Sequence, residues 1–298
     1  MKELRTSPIS NTELKPFLSC KDYTVSYKKF TLLIDEEAAL LVTSPRPKDD
    51  ELASYYDSED YISHTDAKKT FIDKLYQWVK HYSLKKKLKL INSLVTNQKS
   101  LLDVGAGTGD FLSICNTGGW QVTGIEPNEK ARNIAIDKLH VSTAVIYKNI
   151  EELTQNATPN TYDVISLWHV LEHIPNLTAY ITNLKKLLKP QGTLIVAVPN
   201  YKSYDAAYYK EYWAAYDVPR HLWHFSRKAI KKLFQQQNMK VAKIVPMKFD
   251  SFYVSVLSEK YKTGSSNYFR AFYIGWRSNI KAMANKEYSS LIYIIKNG

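Results

Sequence analysis

The sequence predicts an α/β fold: a doubly wound, seven-stranded, mostly parallel sheet with helices on both faces. Three observations carry this. From Ser100 onward, short apolar runs alternate with amphipathic stretches, the order expected when each strand is followed by a helix that crosses back over the sheet. Several runs, such as Leu194 to Val198, are apolar throughout rather than at every second residue, as in strands covered on both faces. In Leu101 to Asp110, LLDVGAGTGD, an apolar run breaks into glycines and resumes as a helical pattern at Phe111, Leu112 and Ile114. Such a strand, glycine turn and helix start bring backbone N–H groups close to a ligand.

Taken in order, residues 1–20 are polar, contain Pro8 and Pro16, and read as a loosely attached arm. Tyr23 to Tyr27, Phe30 to Ile34 and Leu40 to Thr43 are β-rich and separated by turn-like residues, which predicts a small antiparallel meander. Pro45 and Pro47 impose an extended passage. A short helix is expected at Glu51 to Tyr56, and a polar-aromatic loop at 58–64. From Asp66 to about Val95, apolar residues including Phe71, Leu75, Trp78, Tyr82, Leu88 and Ile91 recur at helical spacing. The sheet strands are expected at 100–104, 120–125, 144–147, 162–167, 192–198, 240–246 and 290–295. Helices are expected near 109–117, 128–138, 176–188 and 226–238, the last capped by Ser226, with a helical stretch over 251–285. The chain thus divides into an N-terminal extension, 1–65, and a domain, 66–298, that carries an aromatic segment at 201–225 and a helical insertion before its last strand.

Composition bounds the function. At 44% hydrophobic and 23% charged residues, the chain is that of a folded, soluble protein. A net charge of +12 suits a nucleic-acid, anionic-membrane or acidic-substrate partner. The basic residues are dispersed, however, and the densest run, Lys85 to Lys87 with Lys89, reads as a solvated helix face, so charge alone does not assign a nucleic-acid ligand. Cys20 and Cys115 lie far apart, as in a reduced compartment without structural disulfides. With neither a signal-peptide core nor a run approaching the roughly 18 apolar residues of a membrane span, the expectation is a cytoplasmic protein. Oligomeric state is not specified.

The glycine loop discriminates between cofactors. A dinucleotide fingerprint places its third glycine where Asp110 stands. The chain instead reads Asp103-Val-Gly105-Ala106-Gly107-Thr-Gly109, and Glu126 closes the next strand 21 positions after Gly105. An acid at that strand end can accept both hydroxyls of a ribose. This pattern, followed by YDVISLWHVLEHI at 162–174 and KPQGTLIVAVPN at 189–200, resembles the class I S-adenosylmethionine (SAM)-dependent methyltransferases over residues 100–248, in particular the ubiquinone-biosynthesis O-methyltransferases. The resemblance implies that Asp103 and the backbone of Gly105, Ala106, Gly107 and Gly109 hold the methionine part of SAM. It implies Glu126 on the ribose, Pro127 and Asn128 beside the adenine, and Asn149 or Glu151 near its amine. Leu167, Trp168 and His169 would flank the sulfonium.

The catalytic expectations centre on His169-Val-Leu-Glu172-His173. The run matches the H-x-x-E-H of inverted zinc proteases, but it leaves a strand and meets Pro175 instead of lying within a helix. In the O-methyltransferases it resembles, the corresponding positions help to hold a divalent cation. His169 replaces the first carboxylate, so no metal is expected; Glu172 and His173 would brace the turn, and His169 would act as general base. Further on, W-x-x-x-D-x-P-x-H-x-x-H-F from Trp213 to Phe225 resembles a branch in which this region lies over the acceptor pocket. Tyr204 and Trp213 would supply walls, and Arg220, His221 and His224 would receive an anionic or hydroxylated acceptor; His173, His221 and His224 are further catalytic candidates. The alternative is that the aromatics pack a flap and His224 bonds the backbone. Related long chains carry a small zinc ribbon near the N-terminus, but residues 35–38 are Asp-Glu-Glu-Ala where a Cys knuckle would stand, so a hairpin without zinc is expected. The region after 250 resembles family insertions and indicates no chemistry.

Ser166 to His169 stands where amine-methylating enzymes of nucleobases carry Asn/Asp-Pro-Pro-aromatic, and a Pro-Cys nucleophile is missing. The expected activity is therefore SAM-dependent methylation of a small molecule, on oxygen. An RNA-modifying methyltransferase and a non-catalytic SAM-binding module are the alternatives.

Overall fold

The computed structural model describes residues 1, 3–56, 71–95, 99–139 and 145–298. Its strands in chain order are β1 (Lys15–Lys21), β2 (Lys29–Asp35), β3 (Leu40–Ser44), β4 (Ser100–Val104), β5 (Gln121–Ile125), β6 (Val145–Tyr147), β7 (Tyr162–Trp168), β8 (Leu188–Pro199), β9 (Trp223–His224), β10 (Met239–Met247) and β11 (Ser290–Asn297). Seven of them form one sheet in the order β10-β11-β8-β7-β4-β5-β6. β4 to β8 pair in parallel, and β10 and β11 join antiparallel.

Successive apolar residues serve opposite faces, as the two-residue strand period requires. Leu102, Ile165 and Val196 pack with the helices Leu177–Leu187 and Arg227–Gln235, whereas Leu101, Val164 and Ile195 pack with Phe111, Leu112 and Trp120. β4 pairs with β5 on one side and β7 on the other. Chain order reverses there, opening a crevice at the strands' carboxyl ends where ligands bind in such sheets.

The other sheet is β1-β2-β3-β9. The meander is thus closed by a strand from the aromatic segment, with Leu41 opposite His224 and Val42 opposite Trp223. Two expectations are corrected. The first strand lies at 15–21, and Tyr23 to Tyr27 forms a turn because the Asp22 carboxylate collects the N–H groups of Thr24 (2.9 Å), Val25 (3.2 Å) and Ser26 (2.6 Å). Residues 7–12 are not a loose arm, since the hydroxyls of Ser7, Ser10 and Thr12 donate to buried Asp35 at 2.5, 2.7 and 3.3 Å.

The long helix runs over Phe71–Asn92. Its expected start at Asp66, the loop 58–64, residue 144 of the third sheet strand and the 65/66 boundary lie outside the described residues. Short helices at Ile150–Asn156 and Tyr204–Tyr209 were not foreseen. The expected helical stretch over 251–285 is two helices, Asp250–Thr263 and Tyr268–Asn285, separated at Gly264, whose φ of 78° ends the first. Tyr209, Trp213 and Tyr216 form a buried cluster with Phe30, Leu32 and Leu41 of the meander and with Val254 and Ile274 of the two helices. The aromatic segment is therefore the core of a second layer.

Candidate active site

The glycine loop holds three left-handed residues, Gly105, Gly107 and Gly109, at φ 73°, 55° and 76°. A Cβ on Gly105 would stand 2.5 Å from Val170 Cγ2, and one on Gly109 2.8 Å from Ala135 Cβ. A Cβ on Gly107 would meet nothing within 4 Å, so this backbone faces open space. The N–H groups of Gly105 and Ala106 both donate to the Ile125 carbonyl, at 2.8 and 2.9 Å, tying the loop to the end of β5.

Glu126 follows that end, only 3% exposed. Its carboxylate accepts the N–H of Gly107 at 2.7 Å and of Asn128 at 2.9 Å. Burial raises its pKa, and these bonds, together with Arg132, work in the opposite direction. Asp103 is buried at the end of β4 and accepts the Ser166 hydroxyl at 2.6 Å. Burial raises its carboxyl to about 7, against the Ser166 bond and the charge of Lys87.

Lys87 corrects a sequence expectation. Lys85, Lys86 and Lys89 are exposed, but Lys87 is half-buried, with Nζ 4.3 Å from the centre of the Trp168 ring and 5.8 Å from that of Phe111. Burial lowers its pKa, while Asp103 and Asp250 act to raise it. A Lys within a basic run carries no sign of which way its helix turns it. Trp168 meets Phe111 edge-on at 5.5 Å, and its buried indole Nε1 has no hydrogen-bond partner among the described residues.

The other expected cofactor residues are placed less directly. Leu167 is fully buried in the sheet core, and Pro127 is exposed. Asn128 caps the helix Glu129–Leu139 by accepting the Ala131 N–H at 3.0 Å. Asn149 likewise caps Ile150–Asn156, accepting the Glu152 N–H at 2.9 Å, and Glu151 is exposed.

The turn after β7 abuts the glycine loop through Val170. His169 is left-handed at φ 58°, and its N–H donates to the Ala197 carbonyl at 2.9 Å. Its Nε2 lies 3.0 Å from Asp250 Oδ2, and its Nδ1 3.4 Å from Glu172 Oε1. Burial disfavours the charged ring, but bonding to Asp250 and Glu172 outweighs it and raises the pKa to about 10. Asp250, the first residue of its helix, is a site residue the sequence did not reveal. Nothing in its local pattern marks it; only folding brings it to His169.

Glu172 is 1% exposed; beyond the His169 ring, 3.4 Å from Oε1, its carboxylate meets no hydrogen-bond donor among the described residues. Burial works against its charge, but His169, His221 and His173 hold its pKa low. His173 Nδ1 faces the Tyr56 hydroxyl at 2.8 Å and the Arg220 carbonyl at 3.1 Å. Burial and neighbouring His221 push it down to about 4. His221 Nδ1 lies 2.9 Å from the Ala215 carbonyl, and its Nε2 3.9 Å from Asp217. One ligand atom from each of Glu172, His173 and His221 lies within 4.8 Å of the others. A buried carboxylate with two imidazoles is a donor set that suits a divalent transition ion.

The remaining expected acceptor residues are elsewhere engaged. Trp213 is a core side chain, donating from Nε1 to Asp205 at 2.8 Å. His224 is buried, with Nε2 3.0 Å from the Thr43 hydroxyl, and burial holds it neutral. Tyr204 packs under Arg277 and Lys281 of the insertion, at 5.4 and 5.2 Å. Arg220 pairs with Asp217 at 2.9 Å and reaches the Tyr55 carbonyl at 3.5 Å. These contacts leave Trp213 and His224 as parts of the second core rather than pocket walls.

Comparison with known proteins places this geometry. Residues 76–244 match the methyltransferase domain family. The chain is 31% identical over 173 residues to a ubiquinone biosynthesis O-methyltransferase of Dechloromonas aromatica, covering 56% of this chain and 73% of that one. It is 34% identical over 110 residues to that of Vibrio cholerae, a match spanning 36% of this chain and under half, 45%, of that protein. Among solved structures, SAM-bound magnesium protoporphyrin IX methyltransferase of Synechocystis PCC 6803 superposes with a TM-score of 0.52 at 15% identity, over 86% of this chain and all of that one. A SAM-dependent methyltransferase of Thermotoga maritima gives 0.51 at 16%, over 76% and 97%. At such identities the two structures establish the fold. With the family match covering more than half the chain, the chain belongs to the methyltransferase domain family.

Proposed function

We propose that the enzyme transfers the SAM methyl group to a hydroxyl oxygen of a small-molecule acceptor. The observation that carries this reading is the His169–Asp250 pair, 3.0 Å apart, on the turn that abuts the glycine loop. The sulfonium is already electrophilic, so the protein's task is to align the acceptor in line with the methyl group. A hydroxyl must also lose its proton as the new bond forms. An acceptor hydroxyl entering between His169 and Asp250 separates them, and the ring proton leaves to solvent by way of Asp250. The neutral imidazole then takes the hydroxyl proton as the C–O bond forms and the C–S bond breaks, releasing S-adenosylhomocysteine. The O-methyltransferase names of the relatives support oxygen as the acceptor atom.

For the cofactor, Asp103 would hold the methionyl ammonium and Lys87 its carboxylate, Glu126 would hold the ribose, and Pro127, Asn128 and Asn149 would border the adenine. Glu172, His173 and His221 fit a divalent cation, which would supply Lewis acidity to an acceptor oxygen.

With methyl-labelled SAM and a metabolite extract, label is expected in nuclease-resistant small molecules as acid- and base-stable methyl ethers. Label confined to RNA overturns the reading. The raised Asp103 pKa adds a pH dependence. Burial of its charge disfavours the folded apo protein progressively as pH rises from the unfolded value near 3.8 through about 7. Bound ammonium reverses this by favouring the carboxylate. SAM affinity is therefore expected to rise as pH climbs toward about 7 and then level off. A profile in Asp103→Asn as steep as in the wild type would refute that assignment.

A further inference from the structure

The insertion helix Tyr268–Asn285 has two apolar faces, one packed within the chain and one largely exposed, from which Phe272 stacks on the Phe252 ring at 5.2 Å. Its packed face is built of small residues: Ala271, Gly275, Ser278 and Ala282 are buried, and a Cβ on Gly275 would stand 2.8 Å from the Phe252 ring. On the outer face, Phe269, Phe272, Tyr273, Trp276, Ile280 and Met283 recur at three- and four-residue steps and are all exposed, Phe269 at 91%. Such spacing makes one continuous stripe. An exposed apolar stripe of this size marks an interaction surface.

The charge around the stripe indicates what it meets. Arg270, Arg277 and Lys281 lie on this helix and Lys286 caps it, with no acidic residue between them, and Arg270 Nη1 lies 3.8 Å from buried Glu259. Arg270 and Arg277 flank the aromatics, with the Arg277 guanidinium 5.6 Å from the Tyr273 ring and Nη1 3.3 Å from its hydroxyl. Aromatic rings bordered by Lys and Arg suit the headgroup region of a bilayer, where rings sit at the boundary and cations meet lipid phosphates. A second copy of the chain would oppose two faces of the same positive sign. Single-stranded nucleic acid favours a charged groove, whereas this stripe is a convex helix that includes Ile280 and Met283. Among the described residues no helix is long and apolar enough to cross a membrane, so the contact is made on the surface.

We propose that the outer face of Tyr268–Asn285 docks on an anionic phospholipid surface, lying in the interfacial plane. The packed side of this helix rests on Asp250–Thr263, whose first residue pairs with His169. Docking thus sets the acceptor site one helix away from the lipid. The proposal stands independently of the acceptor's identity.

The test is co-sedimentation of the full chain with vesicles of phosphatidylcholine and phosphatidylglycerol, mixed about three to one, and with phosphatidylcholine alone. Binding is expected to the mixed vesicles, to weaken at least tenfold on pure phosphatidylcholine, and to fall as salt screens the charges. The variant Phe269→Ser/Phe272→Ser/Trp276→Ser, altered only at exposed positions, should lose at least tenfold in binding while keeping the wild-type melting temperature and SAM affinity. Wild-type protein that stays in the supernatant with mixed vesicles overturns the proposal. So does a folded variant that binds them as well as the wild type. Stripe-dependent binding of an RNA oligonucleotide without vesicle binding, or a dimer that the triple substitution dissociates, assigns the face to those partners instead.

Discussion

Glu126→Ala is expected to weaken SAM binding about a hundredfold or more. The Gly107 and Asn128 N–H groups, at 2.7 and 2.9 Å, fix the carboxylate beside the open face of the loop. Each oxygen keeps a lone pair for a ribose hydroxyl. Hydrogen bonds to a charged group contribute about 1.5–3 kcal/mol each, so losing two costs about 3–6 kcal/mol, or about two to four orders of magnitude in Kd. Alanine also leaves the Gly107 N–H without its acceptor and loosens the backbone that lines the pocket. Glu126→Gln keeps the shape but turns one acceptor into a donor, and should fall between alanine and wild type. Calorimetric titration with SAM checks both variants, with thermal melting to establish that they fold. An alanine Kd within about threefold of the wild type would remove Glu126 from the cofactor site.

What was legible in the sequence follows from how local each signal is. The strands of the main sheet announce themselves because they are apolar on both faces, and β8 and β11 lie close to where their runs predict. The glycine loop is legible because positive φ at three positions within five residues requires glycine there. Tyr23 to Tyr27 misleads for a local reason too: its β-forming residues are overruled by a single carboxylate, Asp22, which holds them in a turn.

Half of the candidate site depends on contacts between distant segments. Asp250 lies 81 positions from His169 in sequence, and Lys87 precedes Trp168 by the same interval; both are ordinary charged helix residues until the fold brings them in. The aromatic segment suggested a pocket because rings at 201–225 are numerous. Which of them face a ligand depends on tertiary contacts: β9 pairing with the meander buries His224, and a bond to Asp205 within the second core buries Trp213. Glu172 and His173 were expected to brace the turn after β7; the fold also brings their side chains within 4.8 Å of His221, from the aromatic segment.

His169→Ala is expected to lower turnover about a hundredfold while leaving SAM affinity within about twofold. General-base assistance contributes about 10²–10⁴ to rate, and the lower end suits a reaction whose electrophile is already activated. Between Asp250 and Glu172 the ring holds its proton, with a pKa raised to about 10, so the acceptor must displace one carboxylate before His169 can serve as base. Asp250→Asn should therefore cost less than loss of the ring, about tenfold, by leaving the imidazole less well oriented. Because His169 sits at φ 58°, a conformation that costs a residue with a Cβ about 1–2 kcal/mol, alanine keeps that strain and loses the ring contacts to Asp250 and Glu172 that hold the turn. Asn tolerates that conformation, so His169→Asn separates the chemistry from the strain. If both variants lose turnover with unchanged SAM affinity, the proton-accepting role stands. If alanine fails and Asn is fully active, His169 serves only to shape the turn against Gly105, and the proton must leave by another route.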